Sequence, residues 1–342
     1  MRESLNIAIA GATGYVGLEL VRLLSKHPKV KITYLCAQKN IGKSINKFFK
    51  KKIVKRLPTI SKISKVNWKK INVLFTALPN GEAQKIVNLI YKFDLKIIDL
   101  SADFRISNFL DYKKWYGIDH KSVDFINNSI YSITEFSRKK LPRYKIISCA
   151  GCYPTSIQLP LIPLIEKKMI DLKNIIIDSK SGYSGGGKNI NKKFKSKNIY
   201  NSVIAYGVGS HRHVPEINQE LSKVAKKKVK VHFTPHLIPM FRGILSTVYV
   251  KLEKKLTPIK IYKFLKKYHK KNSFIDIAKF NKPIGTGDVL NTNKCKISVC
   301  KDISNDRVII LSAIDNLLKG ASGQAVQNMN AAFKFNELTG LK

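Results

Sequence analysis

Long apolar runs, cysteines and acidic residues are the scarce features of this 342-residue sequence. No run of about 18 apolar residues occurs, so we expect no membrane-spanning helix and no membrane partner. There are five Cys, an odd number, and the first residues lead directly into an apolar stretch rather than a secretory signal. This pattern predicts free thiols in a reducing cytoplasm and no disulfide framework.

Acidic residues are few beside basic ones, with 22 Asp and Glu against 63 Lys and Arg and a formal net charge of +41. Such a charge is compatible with nucleic-acid binding, and an RNA-binding module would show steeply salt-dependent affinity. The basic residues are mostly Lys, however, and they are spread along the chain without an aromatic stacking platform or a Cys/His finger. We therefore expect no specific nucleic-acid partner.

The apolar fraction, 44%, is large enough for real cores, and the length suggests two domains. Near the N-terminus, the apolar run Leu5–Ala10 predicts a buried strand, and residues 18–26 have the spacing of a helix. Between them lies a G-x-x-G-x-x-G turn. A strand, a glycine-rich turn and a helix form the phosphate cradle of a dinucleotide fold, although a tight turn without a ligand is the alternative. The predicted cofactor contacts are Gly11, Thr13, Gly14, Tyr15 and Val16.

No acidic residue follows the second predicted strand, Lys31–Cys36. An NAD-specific site would place an Asp or Glu there to hold the ribose hydroxyls. Two lysines, Lys39 and Lys43, occur instead, which favours a 2′-phosphate and hence NADP, and Lys39 and Ser44 are the candidate contacts. Pro79, which interrupts the strand predicted for 71–78, is a further candidate cofactor contact.

Polar residues follow another predicted strand, 96–100. Ligands of open α/β sheets bind just past the carboxyl ends of strands, so Ser101 and Arg105 are candidates for binding an anionic substrate group. A structural ion pair between Asp103 and Arg105 is the alternative. Further strands are predicted over 131–136, 144–147, 174–179 and 308–313, and helices over 82–93, 156–165 and 256–268.

Cys152 lies between a predicted strand and a predicted helix. Amides of a first helical turn and the helix dipole stabilise a thiolate, so Cys152 is a candidate nucleophile, while a small buried apolar residue is the alternative. Gly151 would permit a tight turn before it, and Thr155 or Ser156 would cap the helix. The metal-ligand spacing of a zinc site is absent from the sequence.

Two polar segments further along the chain are candidate substrate contacts. The small residues of 181–187 predict an anion-binding concavity, with a flexible linker as the alternative. His211 and His213 precede a predicted helix, and either could serve a thiol as acid and base. Near the C-terminus, Asn316 and Lys319 could touch the cofactor at the start of a helix rich in small residues. The substrate candidates of these segments are Ser181, Gly182, Ser184, Gly185 and Tyr206.

Taken together, the motifs resemble those of the N-acetyl-gamma-glutamyl-phosphate reductase family of arginine biosynthesis. They span nearly the whole chain in family order: Gly11-Ala-Thr-Gly-Tyr-Val-Gly17, Asp99-Leu-Ser-Ala-Asp-Phe-Arg105, Gly151-Cys-Tyr-Pro-Thr155, Ser181-Gly-Tyr-Ser-Gly185, His211-Arg-His-Val-Pro-Glu216, Phe241-Arg-Gly243 and Asp315-Asn-Leu-Leu-Lys-Gly320.

The resemblance implies an α/β protein with a Rossmann-type NADP domain over 1–150, completed by a C-terminal helix over 315–342. It implies an α+β catalytic and oligomerisation domain over 151–314, like those of semialdehyde and glyceraldehyde-phosphate dehydrogenases. The implied reaction reduces a small acyl phosphate to a semialdehyde with NADPH, through a thioester on Cys152, in a homo-oligomer (dimer or tetramer). The acid and base falls on the histidine pair, with His211 favoured.

One departure from the family pattern is Cys149-Ala150 before Gly151, where the family usually has Asn-Pro or similar. The resulting Cys-x-x-Cys would by itself suggest redox or zinc chemistry, but Cys149 ends an apolar strand and is interpreted as a buried bystander. Two related reactions stay open. One is a lysine-pathway reductase acting on a carrier-bound aminoadipyl phosphate, and the other, less favoured by the motifs, is aspartyl-phosphate reduction.

Overall fold

The computed structural model describes residues 4–188, 190 and 198–341. The chain divides into two compact units. The first combines residues 1–150 with 321–342, and the second is the continuous stretch 151–320. In the described part of the chain, no helix combines the length and apolar character that crossing a membrane would require.

The first unit is built from alternating strands and helices. In chain order these are β1 Leu5–Ala10, α1 Tyr15–Ser25, β2 Val30–Cys36, β3 Ile60–Ser61, β4 Val73–Thr76, α2 Glu82–Ile90, β5 Lys96–Asp99, α3 Phe109–Tyr116, β6 Ser129–Ser132, α4 Thr134–Ser137 and β7 Ile146–Cys149. The strands form one parallel sheet in the order β3-β2-β1-β4-β5-β7-β6. Its central strand β4 is buried at every residue, as expected for a parallel sheet covered on both faces.

The second unit begins with a helix and contains a mixed sheet. Its elements are α5 Cys152–Glu166, β8 Ile175–Gly182, β9 Ile204–Ala205, α6 Val214–Ala225, β10 Val231–Ile238, β11 Ile244–Lys251, α7 Pro258–Tyr268, β12 Ile275–Ile277, β13 Cys295–Lys301 and β14 Arg307–Ile314. The strand order is β12-β13-β14-β11-β8-β10-β9. Buried and half-buried residues alternate along β11, which is typical of a sheet with one covered face. Helix α5 packs against β11 and β14.

The chain returns to the first unit at its C-terminal end. A π-type turn, Leu318–Ser322, leads into helix α8, Gly323–Ala332, which is buried at nearly every position. Helix α8 packs against α1, α4, β5 and β7. Small residues such as Gly323 and Ala325 permit this close packing from several sides.

Three expectations about local structure were wrong. The segment 131–136 is only partly a strand, because β6 ends at Ser132 and α4 begins at Thr134. Thr155 and Ser156 do not cap α5, which already begins at Cys152 with Gly151 as its N-cap. Both side chains lie inside the helix, where their hydroxyls donate to the carbonyls of Gly151 and Tyr153. In addition, the predicted C-terminal helix starts later than expected, after the π-type turn.

Candidate active site

The glycine-rich turn of the first unit connects β1 to α1 with almost no space to spare. A Cβ on Gly11, whose φ is +85°, would lie 2.2 Å from the Ala77 carbonyl oxygen. A Cβ on Gly17 would lie 2.1 Å from the Gly11 carbonyl oxygen. Gly14, the N-cap of α1, has no side chain to cover the first-turn amides. The turn therefore has the build of a cradle into which a phosphate can approach the backbone.

The other candidate cofactor residues of the first unit lie on loops after strands. Lys39 is exposed beyond the end of β2. The Ser44 hydroxyl accepts a hydrogen bond from the Asn46 amide, 3.3 Å away. Pro79 is exposed between β4 and α2, and its carbonyl accepts from the Glu82 amide. Thr13, Tyr15 and Val16 lie in the turn and the first residues of α1.

Arg105 is held in the loop that follows β5, and it is only 9% exposed. Its guanidinium donates to the carbonyls of Leu100 and Cys149, each at 2.8 Å. The loop is organised by Asp99, whose carboxylate accepts from the Ser101 amide and hydroxyl, both at 3.0 Å. Burial and the neighbouring Asp103 raise the pKa of Asp99 to about 6.

Asp103 has partners other than the Arg105 side chain. Its carboxylate accepts from the amides of Gly81 and Gln84 and from the Tyr112 hydroxyl. These bonds tie it to the start of α2 and to α3. The candidate anion-binding side chain Arg105 is instead oriented by main-chain carbonyls.

The second unit places Cys152 as the first residue of α5, with a half-buried side chain. The preceding amide, that of Gly151, donates to Glu216 Oε1 at 2.7 Å. Glu216 is fully buried in the first turn of α6. By accepting this hydrogen bond, the buried Glu216 carboxylate fixes the backbone immediately before the candidate nucleophile.

Cys149 and Cys152, three residues apart, have different environments. Cys149 is buried, and its thiol accepts a hydrogen bond from the Asn328 amide. Burial raises the pKa of Cys149 to about 12. A thiol with so high a pKa is protonated at neutral pH and a poor nucleophile, whereas Cys152 has the helix N-terminus that favours a thiolate.

Aromatic side chains surround the histidine pair in the second unit. The rings of His211 and His213 are 5.0 Å apart, and the Tyr153 ring lies 5.5 Å from His211. The Tyr206 hydroxyl donates to the Tyr153 hydroxyl at 3.1 Å. Burial is the main cause that raises the pKa of both tyrosines. They therefore stay protonated, and the nearby thiol of Cys152 contributes to the upward shift of each pKa.

One ring nitrogen of His211 accepts a hydrogen bond from the main chain. The amide of His213 donates to Nδ1 of His211 at 3.1 Å. His211 must then carry its proton on Nε2 when neutral. His211 is thus arranged as a hydrogen-bond donor.

The small-residue segment 181–187 differs from the predicted anion-binding concavity. The amides of Gly182, Tyr183 and Ser184 donate to the carbonyls of Gly243, Met240 and Phe241, at 2.9 Å each. A concavity needs amides that point toward a ligand, so the backbone of 182–184 does not supply one. Neither is it a flexible linker, because β8 extends to Gly182 and a 3-10 turn follows. Ser181 is buried, and Gly185 approaches its hydroxyl closely.

The turn after β14 connects several of these segments within the second unit. Asn316 accepts from the Gly243 amide at 2.7 Å and donates to the Ser184 hydroxyl at 3.0 Å. Lys319 is fully buried, with its ammonium 5.5 Å from the centre of the Phe274 ring. Gly320 lies directly against Cys152. The structure therefore places Lys319 in the same turn, 318–322, as Gly320, and Asn316 two residues before that turn.

Within the described ranges, no group of three or more His, Cys, Asp or Glu side chains is arranged to hold a metal ion.

Comparisons with known proteins agree with the two units. Residues 6–144 match a family model described as the semialdehyde dehydrogenase NAD binding domain, and residues 152–316 match one described as the semialdehyde dehydrogenase dimerisation domain. An N-acetyl-gamma-glutamyl-phosphate reductase of Ehrlichia ruminantium is 42% identical over 343 residues, covering 100% of this chain and 98% of the relative. This chain belongs to the N-acetyl-gamma-glutamyl-phosphate reductase family.

Other relatives of the reductase family extend the comparison. A probable chloroplastic N-acetyl-gamma-glutamyl-phosphate reductase of Arabidopsis thaliana is 40% identical over 99% of this chain and 84% of the relative. Among solved structures, aspartate semialdehyde dehydrogenase II of Vibrio cholerae superposes with a TM-score of 0.74 at 16% identity, covering 97% of this chain and 99% of that chain. At that identity the likeness concerns the fold, which confirms the predicted α/β class.

Family membership also confirms the resemblance that the motifs predicted. Sequence reasoning nevertheless missed Glu216 and Gly320 as residues that surround the candidate nucleophile, Cys152. Glu216 closes the His211–Glu216 motif, so the motif contained a signal for it. For Gly320 the only signal was its place at the end of another motif, since its contact with Cys152 joins positions far apart in sequence.

Proposed function

We propose that this chain reduces N-acetyl-gamma-glutamyl phosphate to N-acetylglutamate 5-semialdehyde, with release of phosphate, in arginine biosynthesis. The observation that carries the proposal is Cys152 at the first residue of α5, behind an amide fixed by the buried Glu216. A thiolate at this position would attack the acyl phosphate carbon, and phosphate would leave to give a thioester. The 40–42% identity to reductases of this name supports the choice of substrate.

NADP fits the residues of the first unit. The Gly11 backbone packs against the Ala77 carbonyl with no room for a Cβ, which fixes the tight turn, and at Gly14 no side chain covers the first-turn amides of α1, where a phosphate can bind. We assign Gly11, Thr13, Gly14, Tyr15 and Val16 to the pyrophosphate. Lys39 and Ser44 are assigned to the 2′-phosphate. Bound NADPH would supply the hydride that reduces the thioester, and Pro79, Asn316 and Lys319 are further assigned contacts.

The histidine pair is assigned the proton chemistry. Because the ring nitrogen Nδ1 of His211 already accepts a main-chain hydrogen bond, His211 is suited to donate from Nε2 to the oxygen that becomes negative on Cys152 attack. We assign to His213 the acceptance of the thiol proton. Main-chain amides at the start of α5 are further candidate donors to the same oxygen. The chain's own residues thus supply nucleophile, proton acceptor and oxyanion donor.

Substrate anchoring is assigned to a few polar side chains. Arg105 is oriented by two carbonyls and would bind the phosphate group, with Ser101 stabilising its loop. In the second unit, Ser181, Ser184 and Tyr206 are assigned to substrate contacts. Gly182 and Gly185 are assigned to the shape of that segment. The Gly182 amide is not assigned to the substrate, because it already donates to the Gly243 carbonyl.

We further propose a homo-oligomer, a dimer or a tetramer, formed through the open face of the second sheet. On this face a row of cross-strand neighbours contains Ile176, Tyr249 and Ile309. Ile176 is 42% exposed, which is unusual for a large apolar residue on an interior strand of a sheet. The family model matched by this unit is described as a dimerisation domain.

A cytoplasmic location is also proposed, and it rests on the free cysteines.

The reverse reaction tests the proposed function. N-acetylglutamate 5-semialdehyde, inorganic phosphate and NADP should yield NADPH, followed by its absorbance. The signal should require phosphate and be abolished by Cys152→Ser, while Cys300→Ser, which alters another half-buried thiol, should leave it intact. A signal only with a longer or shorter aldehyde would change the substrate assigned to the protein and leave the proposed thioester mechanism intact. Silence with every aldehyde, from folded protein that binds NADP, would contradict the proposal.

A further inference from the structure

One fully buried carboxylate in the first unit, that of Asp103, connects two segments with separate assigned roles. Its Oδ1 accepts from the Gly81 amide at 2.7 Å, and its Oδ2 accepts from the Gln84 amide at 3.2 Å. Gly81 is the N-cap of α2 and has no side chain of its own to cap the helix. Asp103 therefore supplies the cap from a distant part of the chain, with its negative charge at the positive end of the helix dipole.

The backbone of the same residue belongs to the loop that carries Arg105. The Asp103 amide donates to the Ser101 hydroxyl at 3.1 Å, and that hydroxyl donates to the Asp99 carboxylate at 3.0 Å. The Arg105 amide donates to the Ala102 carbonyl at 3.3 Å. His120 contacts the Asp103 carbonyl at 2.6 Å. Asp103 and Arg105, two residues apart, therefore belong to one hydrogen-bonded loop, through which a shift of Asp103 would be passed to Arg105.

The segment before α2, Pro79–Gly81, has little freedom to absorb a displacement by itself. Proline fixes one backbone angle at Pro79, and the Glu82 amide closes a turn onto the Pro79 carbonyl at 3.3 Å. Gly81 has a φ of +85°, and a Cβ there would already lie 3.0 Å from the Ile118 side chain. A ligand that moves this segment will therefore pull on the hydrogen bond between Gly81 and Asp103.

We propose that Asp103 is a positioning residue that couples the cofactor segment Pro79–Gly81 to the placement of Arg105. NADP and a phosphate-bearing ligand then bind with positive cooperativity, and by thermodynamic linkage each strengthens the other equally. The inference rests on the proposed function, which assigns Pro79 to the cofactor and Arg105 to the phosphate group. Asp103 itself touches neither ligand in this scheme.

Calorimetric titration of NADP, with and without saturating inorganic phosphate, tests the coupling. In the unmodified protein phosphate should tighten NADP binding about tenfold. In Asp103→Ala, which removes the acceptor of the Gly81 amide, each ligand alone should bind within about threefold of normal, while the effect of phosphate on NADP affinity should fall below about twofold. Tyr112→Phe is the matched control, because it removes a hydrogen bond to the same carboxylate and leaves the Gly81 bond in place. Undiminished coupling in Asp103→Ala, or no coupling in the unmodified protein, would overturn the proposal.

Hydrogen exchange on the unmodified protein gives a second test that needs no variant to fold. Phosphate alone should slow exchange of the amides in 80–84, and NADP alone should slow exchange in 99–105. Protection by phosphate of 99–105 with no change in 80–84 would refute the coupling. Failure of the coupling leaves phosphate-dependent NADPH formation and both separate affinities intact. Failure of the proposed function shows instead as absent turnover or absent NADP binding, and the coupling then falls with it.

Discussion

Gly320 packs against Cys152 so closely that position 320 has no room for a side chain. A Cβ on Gly320 would lie 2.7 Å from the Cys152 Cβ, 3.2 Å from its Cα and 3.3 Å from the Ile314 side chain. The Gly320 backbone is outside the left-handed region, so the constraint here is space rather than conformation. The turn 318–322 therefore restricts the position of the candidate nucleophile, because Gly320 packs directly against it.

Gly320→Ala should push Cys152 away from its position at the start of α5. We expect kcat to fall by about 100-fold, since displacement of a reacting group by an ångström has effects of that order. Overpacking should lower the free energy of unfolding by about 1–3 kcal/mol. Steady-state assays and urea denaturation measure the two effects. Gly287→Ala is the control, because a Cβ there meets nothing within 4 Å, and an unimpaired Gly320→Ala enzyme would show that the turn yields.

Cys152 and Cys149 should differ sharply in their reaction with iodoacetamide at neutral pH. The thiolate is the reactive form, and Cys149 is both buried and protonated, with a pKa raised to about 12. Mass spectrometry of the folded protein should find rapid labelling of Cys152 and labelling of Cys149 only after unfolding. Cys300→Ser removes the other half-buried thiol from the comparison. Labelling of Cys149 at the same rate would contradict the role given to Cys152.

Asp99 should make the stability of the first unit depend on pH between about 4 and 6. Its pKa is raised to about 6 by burial, above its ordinary value in an unfolded chain. A raised carboxyl pKa contributes stability at low pH that is lost as pH rises through the folded value. Asp99→Asn resembles the protonated form. The melting temperature of the variant, relative to that of the unmodified protein, should therefore rise as pH increases from 4 to 7. A difference that stays constant over this range would contradict the raised pKa.

Lys39 should decide between NADP and NAD. Its ammonium is exposed beyond β2, where no acidic residue is present to hold ribose hydroxyls. Lys39→Ala should weaken NADPH binding about tenfold, equivalent to about 1.4 kcal/mol, while NADH binding should change little. Fluorescence titration of both nucleotides measures the shift. Lys31→Ala, an exposed lysine at the other end of β2, serves as the control for a change in charge alone.

Ile176 should contribute to the subunit contact. Ile176→Asp would introduce a charge into the row that includes Tyr249 and Ile309, and desolvating an unpaired charge at an interface is costly. Sedimentation velocity should show dissociation toward monomers. Ile303→Asp, at an apolar residue that is fully exposed in the turn between β13 and β14, should leave the assembly unchanged. An intact oligomer with Ile176→Asp would place the contact elsewhere.

Local patterns in the sequence predicted the family and about half of the strands, chiefly those of the first sheet. The strand Leu5–Ala10 was predicted with both ends correct, because an apolar run bounded by a glycine turn determines it locally. The start of α5 was misplaced because Gly151, which lacks a capping side chain, is the N-cap, and the conformation is supported from outside by Glu216. The same holds for 182–184, whose amides bond to residues about sixty positions later. Contacts of this range leave no periodic trace, and they determine most of the detail around Cys152.

Helix α8 has a consequence for how the protein is made. The first unit is assembled from both ends of the chain, with α8 packed on α1, β5 and β7, whereas the second unit is one uninterrupted stretch. During synthesis, residues 151–320 leave the ribosome before α8 exists. The second unit, which contains the candidate nucleophile Cys152, can therefore complete its fold before the last helix of the first unit has been synthesised. Nascent chains stalled before residue 321 should expose the apolar surface that α8 later covers. The first unit should therefore reach its native state only after residues 321–342 have been synthesised.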